Sequence, residues 1–298
     1  NTLSHINDFG VEISDFNINM AKIQSRKNEI VDKLRSGIDQ LLKANGIEVI
    51  KGRASFKGNK NVEITYPDNT AEVLTANNII IATGSRSAGL PIPGADLSGV
   101  ITSDEALSLD YIPKSMAVVG GGVVGVEFAG IFASMGTEVT IIEFLPRLMY
   151  RLDEEISKRL TMYLKKKGIK IVTGTSVKEI KVCEGGLKLI ADNERILTEY
   201  TCENILFSAG RLPFMDNLNL EAEKISYDKK GIKVDDCYET SSKGIYAIGD
   251  VIGGQMLAHV ASEEGRVCVE KIFGLKSHIN YDAVPSCIFS FPEVGAVG

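Results

Sequence analysis

At 298 residues, with 44% hydrophobic and 24% charged residues, the chain is long enough for roughly two domains of about 150 residues with a well-buried core. A formal net charge of −6 and the lack of a basic run leave nothing to attract nucleic acid or an anionic membrane. Cys183, Cys202, Cys237, Cys268 and Cys287 lie too far apart for a CxxC or CxxxxC redox pair or a zinc pattern, and His5, His259 and His278 are too dispersed for a metal cluster.

The first ten residues carry no basic patch followed by an apolar stretch, so a soluble, cytoplasmic protein is expected. Ile23, Ile30, Val31, Leu34, Ile38, Leu41 and Leu42 recur at helical spacing, with Asn45-Gly46 as a stop signal. They predict a long amphipathic helix over 22–44, with its stripe packed on the core. Residues 46–50 predict a strand, and 62–66 and 71–75 alternate around Pro67-Asp68-Asn69-Thr70 as a small antiparallel insert. The apolar run from Asn78 to Ala82 enters Thr83-Gly84-Ser85 and suits a central strand buried on both faces. Leu90-Pro91-Ile92-Pro93-Gly94 reads as a stiff extended linker, with a domain boundary between it and Pro113.

Residues 116–143 carry the strongest signal. Met116 to Val119 runs into Gly120-Gly121-Gly122-Val123-Val124-Gly125, then a small-residue helix, then Val139 to Ile142 and the acid Glu143. Strand, GxGxxG turn, helix, strand and terminal acid, in that order, indicate a dinucleotide-binding βαβ unit. Gly120 allows the tight turn, Gly122 admits a pyrophosphate to the backbone, and Gly125 lets helix and strand pack closely. The diphosphate is expected at the helix amino end. Glu143 is placed to reach a ribose diol and to repel a 2′-phosphate, which favours NAD over NADP. A membrane span over 115–136 is excluded by Glu127 near its middle and by the glycine run.

Beyond this unit, Asp153-Glu154-Glu155 opens a helix and Lys165-Lys166-Lys167 closes it before Gly168, matching the helix dipole. Strands are expected at 170–173, 187–191 and 204–208, with a meander before the last. Residues 244–250 form another apolar strand ending in Gly249-Asp250, and a helix is expected from Leu257 to Phe273. An acid at the carboxyl end of a parallel strand stands where open α/β sheets bind ligands.

The strand end Ala82-Thr83-Gly84-Ser85, Gly120 to Glu127, Ala209-Gly210-Arg211-Leu212-Pro213, Thr240 to Asp250 and Met256-Leu257-Ala258-His259 together resemble the flavin- and pyridine-nucleotide-dependent disulfide oxidoreductases. Met256 to His259, Gly125 and Glu143 make the resemblance strongest to the NAD-using dihydrolipoamide dehydrogenase branch. It implies an α/β fold of two Rossmann-like three-layer nucleotide-binding domains, with the NAD domain inserted in a split FAD domain. Residues 1–113 and 241–283 would be the two parts of the FAD domain, 114–240 the NAD domain, and 284–298 the start of an interface domain. Gly120, Gly121, Gly122, Val123, Val124, Gly125, Val126, Glu127, Glu143, Val177 and Gly210 would line the NAD site. Ala54, Thr83, Gly84, Ser85, Asp250, Met256, Leu257, Ala258 and His259 would line the FAD site.

The family's first FAD-binding glycine unit, its CxxxxC disulfide and its interface-domain His and Glu have no counterpart in this sequence, which looks like a truncated middle section. No catalytic residue and no metal ligand is therefore assigned. NAD binding is expected, FAD in the intact protein, and lipoamide turnover is not expected of this chain alone. The resemblance further implies a homodimer when intact, a lipoyl carrier domain of a 2-oxo acid dehydrogenase complex as partner, and a mitochondrial matrix location if the source is eukaryotic. Two alternatives remain at this stage. One is another flavin reductase of the same fold, such as a mercuric reductase, NADH oxidase or transhydrogenase, and the other is a non-catalytic NAD-binding module.

Overall fold

The apolar run from Met116 to Val119 lies at the centre of a five-stranded parallel sheet in the computed structural model, which describes residues 6, 9–12, 16–194 and 196–298. His5 lies outside the described residues. In chain order, helix α1 (Met20–Ala44) leads to strands β1 (Arg53–Gly58), β2 (Asn61–Thr65), β3 (Ala71–Thr75), β4 (Ile79–Ile81), β5 (Ser85–Ser87) and β6 (Val100–Ile101). Helix α2 (Ser103–Ala106) precedes β7 (Ser115–Val119), α3 (Val123–Ser134), β8 (Glu138–Ile142), α4 (Glu154–Lys166) and β9 (Lys170–Val172). Then come β10 (Ser176–Cys183), β11 (Gly186–Asp192), β12 (Leu197–Cys202), β13 (Asn204–Phe207), β14 (Arg211–Pro213), β15 (Tyr227–Asp228) and β16 (Gly231–Ile232). The chain closes with β17 (Ile245–Ala247), α5 (Ala258–Ile272), β18 (Pro285–Ile288) and β19 (Val294–Val297).

Two compact units result, one from residues 1–40, 87–210 and 287–295, the other from 41–86, 211–286 and 296–298. In the first, the parallel sheet has the order β6-β13-β7-β8-β9. Side chains alternate across a strand, so β7 contributes Met116 and Val118 to one face and Ala117 and Val119 to the other. The first pair packs with Phe132, Ile141, Leu160 and Leu206. The second packs with Ile142, Ile180, Leu189, Ile205 and Phe207. The unit thus has three layers: helices α3 and α4, the parallel sheet, and the antiparallel β10-β11-β12 meander. Val118, Ile141 and Leu206 show no exposed surface, and burial of each such side chain contributes about 1.5–3 kcal/mol. Helix α4 forms as expected, with the Asp153 carboxylate accepting the N–H groups of Glu155 at 2.8 Å and Ile156 at 3.2 Å.

The second unit holds the β1-β2-β3 meander and the parallel β4–β17 pair. The Tyr66 N–H donates to the Thr70 carbonyl at 2.8 Å and closes the expected turn between β2 and β3. Phe56, Ile81, Leu220, Ile232, Ile245 and Val251 form its main apolar cluster.

Three expectations fail. Helix α1 forms, but none of its residues is buried, and Leu34 and Leu41 are 65% and 64% exposed. Its apolar stripe stays largely exposed, although Gln24 and Lys27 donate to the carbonyls of Leu109 at 2.7 Å and Leu107 at 3.0 Å. Residues 46–50 are not a strand, and Ile47 and Val49 are exposed, because among the described residues no strand offers them a ladder. Ile80 of β4 is exposed rather than buried, since β4 pairs only with β17.

The packing also divides the chain at places other than 113 and 240. Val100 and Ile101 pair in parallel with Ile205 and Leu206, and the Pro93 carbonyl accepts the Ile180 N–H at 2.9 Å, which ties 87–113 to the first unit. Leu218, Leu220, Ile225 and Ile232 join the cluster around β17, which ties 211–240 to the second.

All five cysteines are free. Burial disfavours the thiolate and pushes the thiols of Cys202 and Cys268 up to about 11. The neutral thiol is the form the fold favours, so this contribution is intact below pH 9 and is lost as pH rises toward 11. At pH 8, a disulfide-exchange reagent should label the exposed Cys237 and Cys287 promptly and Cys202 and Cys268 only after urea is added. Rapid labelling of both buried thiols in the folded protein would contradict this packing.

Candidate functional site

Strands β13, β7 and β8 are parallel neighbours, so the segments that follow them emerge together at one edge of the sheet. These segments are Ser208-Ala209-Gly210, Gly120-Gly121-Gly122 and Glu143. Gly120 has φ +115°, and a Cβ there would stand 2.5 Å from the Ser208 carbonyl oxygen. A Cβ on Gly125 would run into the Gly120 carbonyl oxygen. Ser208 locks the junction by donating its hydroxyl toward the carbonyls of Val119 at 3.1 Å and Gly120 at 3.0 Å.

Gly122 differs from these two glycines. It caps α3 in an extended conformation without a side-chain hydrogen bond, and a Cβ there would meet nothing within 4 Å. The first turn of α3 carries no acidic residue. Its leading N–H groups have no intrahelical acceptor, and the positive end of its dipole faces the open space beside Gly122.

Glu143 is only 8% exposed. Its carboxylate accepts the Gly121 N–H and, at 2.6 Å, the Leu145 N–H. Each oxygen retains a second acceptor position. The acid therefore braces the glycine turn as well as standing beside it. The Thr175 N–H donates to the Glu143 carbonyl at 3.0 Å, which brings the segment leading into Val177 alongside. Val177 itself lies half-buried on β10, opposite Ala191. Val123 is exposed, Val124 is half-buried, and Val126 is fully buried in the core between helix and sheet. Glu127 accepts the Phe289 N–H at 2.7 Å. Gly210 is exposed and its carbonyl accepts the Ala88 N–H at 2.9 Å.

In the second unit the ends of β4 and β17 also lie side by side. The Ser85 hydroxyl donates to the Asp250 carboxylate at 2.5 Å. Arg211 donates from Nε to the Ser85 hydroxyl at 2.7 Å and from Nη2 to the Ser85 carbonyl at 2.9 Å, and its Nε lies 4.0 Å from the Asp250 carboxylate. Thr83 donates to the Phe214 carbonyl at 2.6 Å, and the Gly84 carbonyl accepts the Phe214 N–H at 2.8 Å. Met256 and Leu257 are half-buried, and Ala258 begins α5 with Leu257 as an N-cap that makes no side-chain bond. The His259 Nε2 lies 2.8 Å from the Pro285 carbonyl oxygen. Ala54 sits exposed on β1, opposite Ile64.

Ser208, Arg211 and Glu264 were not singled out from the sequence. Glu264 had a readable signal, because it falls on the helical stripe with Val260, Val267 and Cys268, where a lone acid is out of place. Ser208 had none, since its partner Gly120 is 88 residues away, and Arg211 stood in the Ala209 to Pro213 motif with no sign of its role, since its partner Ser85 is 126 residues away. Among the described residues no group of three or more His, Cys, Asp or Glu could hold a metal ion, and no helix is long and apolar enough to cross a membrane.

Residues 4–265 match the family model for pyridine nucleotide-disulphide oxidoreductases. The chain is 37% identical to a dihydrolipoyl dehydrogenase of Cupriavidus necator and 38% identical to one of Bacillus subtilis, in each case over 100% of this chain and 63% and 65% of the relative. It is 37% identical over 99% of its length to the mitochondrial dihydrolipoyl dehydrogenase of Bos taurus, covering 60% of that protein. Among solved structures, the Cu(II) complex of the HOCl-induced flavoprotein disulfide reductase RclA from Escherichia coli superposes with a TM-score of 0.85 at 29% identity, over 93% of this chain and 63% of that one. The chain thus spans a little under two thirds of the length of these curated relatives.

The glycines divide into two kinds, which substitution separates. Gly125→Ala should lower the urea-unfolding free energy by about 1–3 kcal/mol through overpacking. Gly122→Ala, with open space around it, should stay within about 1 kcal/mol of the parent. The reverse ranking would show that Gly122 is held by packing.

Proposed function

This chain belongs to the pyridine nucleotide-disulphide oxidoreductase family, and on that premise we propose that it is the nucleotide-handling middle of an NAD-linked dihydrolipoamide dehydrogenase. The intact enzyme would oxidise dihydrolipoamide to lipoamide and reduce NAD to NADH through FAD and a redox disulfide. The observation that supports a nucleotide site most directly is the open cradle at Gly122. It is the glycine of the turn with free space around it, it stands at the amino end of α3, and Glu143 is fixed next to it.

The residues present fit NAD. The Gly122 backbone and the leading N–H groups of α3 would hold the diphosphate, where the helix dipole favours its charge. The remaining acceptor positions of Glu143 would take the ribose hydroxyls. Because Glu143 is already anchored by two backbone N–H groups, it could not swing aside for a 2′-phosphate, and NADP would meet a fixed like charge. Gly210, at the end of the neighbouring strand, would leave the approach clear.

For FAD the fit covers part of a site. Asp250, held by Ser85, would face the ribityl and diphosphate region, with Thr83, Gly84 and Met256 to His259 around it. FAD, when bound, supplies two-electron chemistry between a thiol pair and the nicotinamide. This chain contributes binding and orientation to that chemistry. It has neither the CxxxxC pair nor the acid/base His–Glu pair, so it should not turn over lipoamide by itself. Homodimerisation, docking of a lipoyl carrier domain, and a cytoplasmic or mitochondrial matrix location belong to the same proposal for the intact protein.

Titration with NADH and NADPH, followed by nicotinamide fluorescence, tests this reading. NADH should bind at least about tenfold more tightly than NADPH, a difference of about 1.4 kcal/mol, and Glu143→Ala should weaken NADH and narrow that preference. Dihydrolipoamide-dependent reduction of NAD should stay at background. Equal binding of both nucleotides, or turnover by the purified chain, would overturn the proposal.

A further inference from the structure

Glu264 is only 4% exposed. A carboxyl group so placed needs hydrogen bonds in place of the water it gives up. It has two. The Gly249 N–H donates to Oε2 at 2.6 Å, and the Tyr281 hydroxyl donates to Oε1 at 2.8 Å. With the Tyr281 proton committed to Glu264, the Tyr238 hydroxyl, 3.0 Å away, is left to donate to Tyr281. Burial, together with the hydrogen bond that it donates to the Glu264 carboxylate and the charge of that group, holds the Tyr281 hydroxyl well above its ordinary range. The turn after β17 is also pressed on α5: a Cβ at Gly249 would stand 3.1 Å from that of Ala261.

Gly249 immediately precedes Asp250. The Asp250 side chain is fixed by Ser85, itself held by Arg211, while the backbone just before it is fixed by Glu264. We propose that Glu264 is a positioning residue which, through the Gly249 N–H, sets the turn that aims the Asp250 carboxylate at the ribityl-diphosphate part of a flavin nucleotide. This rests on the assignment of Asp250 to the FAD site, and the two can fail separately.

The test uses the 298-residue chain labelled with ¹⁵N and ¹³C, with Glu264→Gln, Glu264→Asp and Tyr281→Phe. Glu264→Asp shortens the side chain and withdraws the carboxylate from Gly249. Tyr281→Phe removes the other bond and leaves that one in place. In the parent the Gly249 amide should resonate downfield and exchange slowly. Both Glu264 variants should move it upfield, speed its exchange about tenfold and shift the Asp250 carboxyl carbon. Tyr281→Phe should leave the Gly249 and Asp250 signals where they are. Unmoved signals in a folded Glu264 variant would overturn the proposal, as would equal shifts in all three variants. In parallel, FAD quenching is followed. If the parent binds FAD, Glu264→Gln and Asp250→Ala should each weaken it, and the double variant should be no worse than Asp250→Ala. Additive losses would show that Glu264 acts by another route. If the parent binds no FAD, as the partial site allows, the amide and carboxyl signals alone judge the positioning role.

Discussion

At Gly120 the end of β7, the start of α3 and the end of β13 come together with no room for a side chain between them. The Gly120 carbonyl lies where a Cβ of Gly125 would be, and the Ser208 carbonyl lies against Gly120 itself. This close approach of three backbones determines the rest of the edge. It holds the amino end of α3 at this edge, with Gly210 and Glu143 following the strands on either side. A methyl group at either glycine would force helix and strand apart, and the site would lose its shape before any ligand was considered.

A second regularity concerns the carboxylates. Glu143 and Glu264 each accept a backbone N–H from a turn that follows a parallel strand, Gly121 in one unit and Gly249 in the other. Asp250 receives a hydroxyl instead. Turns at strand ends leave N–H groups without ladder partners, and an acid on a neighbouring element satisfies them with charge-assisted hydrogen bonds. The acids that would meet nucleotide hydroxyls therefore stand in places fixed by the fold. Their positions are not left to flexible side chains.

The elements that were legible in the sequence are those specified by local chemistry. The βαβ unit, the capped helix α4 and the β2–β3 hairpin each carry their own signals of apolar period, turn residue and charge at the helix ends. The elements that misled depend on neighbours. The stripe of α1 reads as a core face, yet a periodic pattern shows only that one face is apolar, not that anything covers it. Residues 46–50 have the composition of a strand and no strand beside them. Ile80 sits in a continuous apolar run, but burial on both faces of β4 requires layers that β4 and β17 alone do not provide. Long-range pairing also decides which segments pack together: β6 joins its sheet by pairing with β13, about a hundred residues later.

The sequence by itself determined the glycine turn, the acid at the end of the second strand, and the family to which these motifs belong, because such features are written in residue types at short fixed spacing. The tertiary structure alone decided that Glu143 is anchored to Gly121, that Arg211 holds Ser85 against Asp250, and that Glu264 holds the turn before Asp250. Those contacts join residues from 15 to 165 positions apart. Only the parallel pairing of strand ends and the packing of α5 bring them within hydrogen-bonding distance, and no local pattern in the chain encodes that approach.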